Sequence, residues 1–398
     1  MIGARRFLEA KIRLSGKTVI PCLITGLLLM WPSAEANCRG GEGLRPDPRV
    51  QKIVKEAVER ERIPGMIAAI ADGNGVRAIG AAGVRVAGGE TLITVNDGVH
   101  IGSCTKAMTC VMLATLVAEG KLTWETTLIE VFPEWKTEIR ESYHTVTLWQ
   151  LVTHRAGMPA NATDWWKYAQ LPIRQRRERL ARENLQRPPV GKAGRYHYSN
   201  LGYLVAGCMA EKRSGMSWEA LMATKVFRPL KMRTAGFGPP GHPQKDDQPW
   251  GHVYGNNRWI PRWFDNAEAL GPAGVVHCSV EDWAKFVSLQ LKRPDPPILS
   301  RRQLDRLLKP TGEYAGGWIV TQRDWGSGKV LTHSGSNTMW YATVWVAPRI
   351  DRAFFAVTNS CDDRSHKICD EVIAALIELD RQTATKPNSR AMHEHDSK

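Results

Sequence analysis

The chain has 398 residues, 43% of them hydrophobic and 24% charged, with a formal net charge of +14. That length and apolar content exclude a disordered or fibrous chain and allow one large two-lobed domain or two smaller ones. No repeat of fixed period is present, which excludes solenoids, and the basic residues are diffuse and carry no nucleic-acid motif, so the charge points to solubility and weak attraction to anionic surfaces rather than to nucleic acid.

The first residues read as an export signal. Arg5, Arg6, Lys11, Arg13 and Lys17 precede an apolar run from Val19 to Trp31, and Ala34-Glu35-Ala36 offers a small-x-small cleavage site. Residues 1–36 are therefore expected to be a signal peptide and the mature protein to be secreted or periplasmic. If the segment stays uncleaved it is a membrane anchor, although its apolar run is shorter than the roughly 20 residues a span needs. Removing residues 1–36 leaves 49 basic and 38 acidic residues, so the mature charge stays near +11.

Val50, Ile53, Val54, Ala57 and Val58 recur at helical spacing and predict an amphipathic helix over 48–62 that ends near Pro64-Gly65. Two strands are expected next, Met66–Ala71 and Val76–Val86, joined by the turn Asp72-Gly73-Asn74-Gly75. From Ser103 to about Leu270 the pattern is mainly helical, with Pro-, Gly- and Trp-rich loops. Arg174–Arg187 lies within it, where Arg alternates with Glu and apolar residues, and reads as a solvated helix face. Strands return at Val330–Thr332, Tyr341–Val346 and Ala353–Thr358. A helix carrying Ile368, Val372, Ile373, Leu376 and Leu379 closes the fold before a polar tail over 386–398. The implied architecture is α/β (α+β): strands from both ends of the chain form one antiparallel sheet flanked by helices. The sheet lobe covers about 48–102 and 271–382, a helical lobe covers about 103–270, and the reactive groups lie in the cleft between them.

Eight cysteines are present, and loss of Cys22 with the signal leaves seven, so at least one thiol is free or intermolecular. Cys104 and Cys110 fall on one predicted helix, wrongly phased for a mutual bond, and are expected to be small buried residues. Cys361 and Cys369 are a possible disulfide pair, and the pairing of Cys38 stays open. No Cys/His spacing suggests a metal site, nor is any nucleotide or flavin motif present. His393 and His395 lie in the polar tail.

Three segments carry reactive groups. Ser103 opens a helix that runs to Gly120, and Lys106 follows one turn later on the same face. A serine hydroxyl needs a base to attack a carbonyl at neutral pH, and a lysine serves if burial lowers its pKa toward neutrality. The other reading of this pair is a Ser cap with an exposed Lys. Tyr198-Ser199-Asn200 precedes a second helical run, Leu201–Glu211. Here a phenol whose pKa falls from about 10 would relay protons and an amide would hold the substrate. Tyr254-Gly255-Asn256 repeats the pattern, but it sits among Gly, Asn and Pro and reads as plain loop, so Tyr198 is preferred. His333-Ser334-Gly335-Ser336 ends a predicted strand. Gly335 would let substrate lie against that strand, the Ser336 and Ser103 amides would form an oxyanion pair, and His333 or Ser334 would contact a carboxylate or the proton path. The other reading of His333 is a hydrogen-bonded surface residue.

Taken in order, these elements resemble the serine β-lactamase and penicillin-binding-protein superfamily, in particular its class C-like branch of esterases, D-amino-acid peptidases and β-lactamases. The likeness runs from Ile63-Pro64-Gly65 through the Ser103 helix, Glu119-Gly120-Lys121-Leu122, the stretch Thr147 to Gly157, Gly271-Pro272-Ala273-Gly274 and the final hairpin to Asn359. The resemblance implies a β-lactamase/transpeptidase-like fold over 37–385 and a serine hydrolase that needs no cofactor. In it Ser103 is acylated, Lys106 and Tyr198 shuttle protons, Asn200 orients the substrate, and His333, Ser334, Gly335 and Ser336 border it. The substrate would be a small ester, a cell-wall or other D-amino-acid peptide, or a β-lactam. The chain departs from the pattern by carrying His333-Ser334-Gly335 where β-lactamases usually have Lys-Thr-Gly, and Met339-Trp340-Tyr341 where relatives often show Gly-Tyr. It also lacks the Glu-x-x-Leu-Asn segment of class A enzymes. Trp165-Trp166 reads first as aromatic packing and second as pocket lining. The alternative function is a non-hydrolytic penicillin-binding or sensor module of the same fold; an α/β-hydrolase is set aside because Gly-x-Ser-x-Gly is absent. Oligomeric state is not legible.

Overall fold

The computed structural model describes residues 43–291 and 297–385. Residues 1–36, expected to be an export signal, with Cys22, and also Cys38, His393, His395 and the tail over 386–398 lie outside the described residues.

Helix α1 (Pro48–Glu61) starts where Asp47 caps it, its carboxylate accepting from the amides of Arg49 and Val50. Strands β1 (Gly65–Asp72) and β2 (Gly75–Gly83) follow as the expected hairpin, although β2 stops at Gly83 and Val84 then bridges to Leu92. Next come β3 (Gly98–His100), the helix α2 (Thr105–Ala118), β4 (Gly236–Phe237), the hairpin of β5 (Gly251–Gly255) and β6 (Arg258–Arg262), and β7 (Val276–Ser279). The last strands are β8 (Ile319–Arg323), β9 (Gly328–Ser336), β10 (Tyr341–Ala347) and β11 (Arg352–Thr358), and the helix Asp363–Thr385 completes the chain.

The main sheet is antiparallel, in the order β2-β1-β11-β10-β9-β8. It pairs strands from opposite ends of the sequence, as the strand pattern predicts; β8 is an additional edge strand that the pattern does not reveal. Every residue of β1 is buried because both faces of the sheet are covered. Met66, Ala68 and Ile70 pack with Val50 and Val54 of α1 and with Ile368 and Val372 of the C-terminal helix. The alternate residues Ile67, Ala69 and Ala71 join the larger core around α2. Residues Thr105 to Leu116 of α2 are all buried, as befits a helix apolar on every side.

Between Ser103 and Leu270 the mainly helical pattern is interrupted by β4 and by the β5–β6 hairpin, which turns at Asn256-Asn257. One expectation needs correction. The basic stretch Arg174–Arg187 does form a helix, Ile173–Leu185, but Arg177 is fully buried on it and pairs with Glu211 and Glu219, because two carboxylates from neighbouring helices reach its guanidinium. Cys361 and Cys369 are both free thiols. About 9 Å of helix separates the first turn at Asp363 from Cys369, more than a disulfide spans, and Cys369 faces the core.

Candidate active site

The nucleophile candidate is set by backbone conformation before any side chain acts. Gly102 has φ 48°, and a Cβ there would stand 2.2 Å from the Ser336 nitrogen; a Cβ at Gly335 would stand 2.5 Å from the Ser103 nitrogen. Two glycines thus let the turn Gly102–Cys104 and strand β9 touch backbone to backbone, which brings the Ser103 and Ser336 segments together at the start of α2. Helix dipole and amides there favour developing negative charge.

Lys106 is fully buried, and its Nζ lies 3.0 Å from Ser103 Oγ, 2.8 Å from Asn200 Oδ1 and 2.7 Å from the Ala273 carbonyl oxygen. Burial lowers its pKa from 10.5 to about 7, so near neutral pH a large share of the amine is uncharged. A neutral amine has two protons and one lone pair. Asn200 Oδ1 and the Ala273 carbonyl take the protons, and the lone pair is left facing Ser103 Oγ. The amide of Asn200 is itself held the right way round by donating to Asn161 Oδ1 at 2.8 Å.

On the other side of the nucleophile, Tyr198 Oη donates to Ser103 Oγ at 2.9 Å. A proton relay by Tyr198 is expected to need a lowered phenol pKa; the structure shows the reverse. Burial pushes Tyr198 up, so it stays protonated and serves as a donor. Ser199 caps the helix Asn200–Ser214, and its backbone N–H donates to His154 Nδ1 at 3.0 Å, which fixes the Tyr198-Ser199-Asn200 turn. The His154 ring lies 4.3 Å from the Tyr198 ring, and burial keeps its pKa well below 6.5, so no second cation adjoins Lys106. Tyr254 sits on β5 rather than in a loop, with Trp259 and Arg364 as its neighbours.

The β9 residues divide by strand alternation. His333 faces the interior; its Nε2 lies 2.9 Å from Tyr314 Oη and its Nδ1 2.6 Å from the Ser334 carbonyl oxygen. Burial, then the nearby Lys106, lower its pKa to about 3, so it is a neutral buried residue and neither a surface histidine nor a cation for a substrate carboxylate. Ser334 Oγ donates to Thr343 Oγ1 at 3.1 Å, and Ser336 Oγ lies 3.1 Å from Cys361 Sγ. Both hydroxyls occupy the strand face opposite His333. Ser336 reaches the cleft, whose volume is about 400 Å³ and whose lining includes Ser103, Asn161, Asn200 and Asp265.

A second network escapes sequence reasoning altogether. His100 is fully buried; its Nδ1 accepts from the Gly102 amide at 3.2 Å and its Nε2 lies 3.0 Å from Asp265 Oδ2. The other oxygen of Asp265 accepts from Asn337 Nδ2 at 2.9 Å, and Asn337 Oδ1 accepts from the amides of Met339 and Trp340. One carboxylate thus ties the residue before Ser103 to the residue after Ser336. No local pattern marks Asp265; only its neighbours in space reveal it. Trp166 is 54% exposed at the cleft with the Phe264 ring against it, and Trp165 lines the cleft while packing on the core. Among the described residues no three His, Cys, Asp or Glu side chains gather as a metal site would require, and no helix is long and apolar enough to cross a membrane.

Compared with known proteins, residues 50–377 match the family model described as Beta-lactamase. The unguisins hydrolase of Aspergillus campestris is 26% identical over 269 residues, 64% of this chain and 48% of that protein. A beta-lactamase of Escherichia coli K12 is 26% identical over 247 residues, 62% of this chain and 61% of its own. The chain thus spans between about half and two thirds of these relatives. The D-amino acid amidase structure from Ochrobactrum anthropi SV3 superposes with a TM-score of 0.69 at 17% identity, covering 85% of this chain and 99% of the amidase, a likeness of fold.

Proposed function

The chain belongs to the beta-lactamase family of hydrolases, and from that premise we propose that it is an exported serine hydrolase that cleaves an ester or amide through an acyl-enzyme on Ser103. The observation that carries this is the hydrogen-bonded line from Tyr198 Oη to Ser103 Oγ to Lys106 Nζ, at 2.9 and 3.0 Å, with the lysine poised near neutrality.

In this reading Ser103 Oγ attacks the acyl carbon while its proton passes to the lone pair of neutral Lys106. The oxyanion forms between the amides of Ser103 and Ser336. As the intermediate collapses, Tyr198 gives its proton to the departing oxygen or nitrogen, and the ammonium of Lys106 restores the phenol. Water then attacks the ester on Ser103; the Lys106–Tyr198 pair takes its proton and returns one to Ser103, so the cycle closes with no net change in the enzyme. Neutral His333 in the place of a lysine argues against a substrate held by its carboxylate, and so favours esters and D-amino-acid amides over β-lactams. The basic residues, apolar run and Ala34-Glu35-Ala36 near the start support export, which mass analysis of the mature N-terminus would test.

The direct test is covalent. A fluorophosphonate should add to the Ser103 peptide of the wild type and spare Ser103→Ala, and ester turnover should vanish in the same variant. Equal labelling of both proteins would overturn the assignment.

A further inference from the structure

We infer that the substrate is an uncharged ester or amide with a bulky apolar acyl arm, and that this arm lies across the paired rings of Trp166 and Phe264 and reaches a side cavity beside the cleft. The inference rests on Ser103 being the nucleophile and deepens that reading by naming what the site accepts.

Two large aromatic rings stand in water at the cleft. Trp166 is 54% exposed and Phe264 55%, and their centroids lie 5.6 Å apart. Both border the cleft that holds Ser103, and both also border a second cavity of about 550 Å³, whose far walls include Ile173, Phe237 and Val275. The two spaces share Asp265 and Asn266 as well, so they adjoin along this aromatic wall. A dry cavity of about 150 Å³ already holds a benzene ring, so this one takes an arm several times larger.

Charge narrows the class. No Lys or Arg lines either space among the described residues. Lys106 lies beneath the nucleophile with its protons committed to Asn200 and Ala273, and Glu219 and Glu268 at the side cavity are already paired with Arg177 and Arg176. An anionic arm would enter with nothing to neutralise it, at a steep desolvation cost. The arm belongs to the acyl side because the departing group is the one that Tyr198 protonates, and Tyr198 is not part of the wall that Trp166 and Phe264 form.

The experiment compares three p-nitrophenyl esters on the purified protein: acetate, 4-phenylbutanoate and hemisuccinate. Wild-type kcat/KM should be at least tenfold higher for phenylbutanoate than for acetate, and no higher for the anionic hemisuccinate. Ile173→Trp, which fills the side cavity, should bring the phenylbutanoate-to-acetate ratio to within about twofold of one. A wild-type ratio near one, or a ratio that Ile173→Trp leaves intact, overturns the inference. Two fluorophosphonates, one with an ethyl and one with a phenylbutyl arm, separate the two levels of the argument through labelling rates at Ser103. Equal rates overturn the side cavity alone, whereas absence of labelling at Ser103 overturns the nucleophile assignment and the cavity with it.

Discussion

Replacing Lys106 by Met keeps the volume of the stem and removes the one titrating amine at the site. The structure gives the size of the effect. Burial takes the lysine from 10.5 to about 7, and at about 1.36 kcal/mol per pH unit the charged form costs the folded protein roughly 5 kcal/mol below pH 7, where both states carry the proton. Between about 7 and 10.5 the folded lysine is neutral while the unfolded chain still binds its proton, so wild-type stability climbs with pH and the penalty shrinks to roughly 2 kcal/mol at pH 9. The other titrating groups are common to both proteins and cancel in the comparison. The difference in unfolding free energy between Lys106→Met and wild type should therefore move by roughly 3 kcal/mol in favour of wild type from pH 6 to pH 9. Denaturant titrations of the two proteins at both pH values measure it, and the lost contacts to Asn200 and Ala273 add a constant that drops out. A difference that stays flat across that range refutes the argument that Lys106 is the base. The same titration predicts that wild-type kcat/KM rises with pH through about 7.

Tyr198→Phe removes the donor but leaves the amine, so kcat should fall by about 10²–10⁴ while the rise through about pH 7 persists; loss of that rise would show that the phenol, and not the lysine, sets it. Asp265→Asn loosens the link between the Ser103 and Ser336 segments. It should lower kcat about ten- to a hundredfold with little change in KM and raise the infrared stretching frequency of the acyl-enzyme carbonyl, which reports hydrogen bonding to that oxygen; an unmoved frequency means that the carboxylate only supports the fold. Glu211→Gln leaves Arg177 with Glu219 alone and should cost about 2 kcal/mol of unfolding free energy at pH 7, a loss read by chemical denaturation.

Much of the fold was legible because its signals are local. The periodicity of α1, the Asp72–Gly75 turn and the short apolar runs of β10 and β11 each lie within a dozen residues. Ser103 and Lys106 were legible for the same reason, being one helical turn apart. What escaped depends on distance in sequence. The amide of Asn161 and the carboxylate of Asp265 matter through what they touch, and nothing beside them in the chain says so. The protonation of Tyr198 is not legible locally, because a phenol's pKa follows from burial, which only the packed structure supplies. The burial of Arg177 is hidden for a similar reason: its partners Glu211 and Glu219 come from other helices.

The place of β1 in the sheet bears on how the chain is made. Met66 pairs with Thr358, so β1 waits for one of its two neighbours until the final strand has left the ribosome, roughly 15 s or more later at ordinary rates of synthesis. Throughout that interval one edge of this largely apolar strand lacks its partner. Closure of the main sheet is therefore a late event, reached only when the two ends of the sequence can meet.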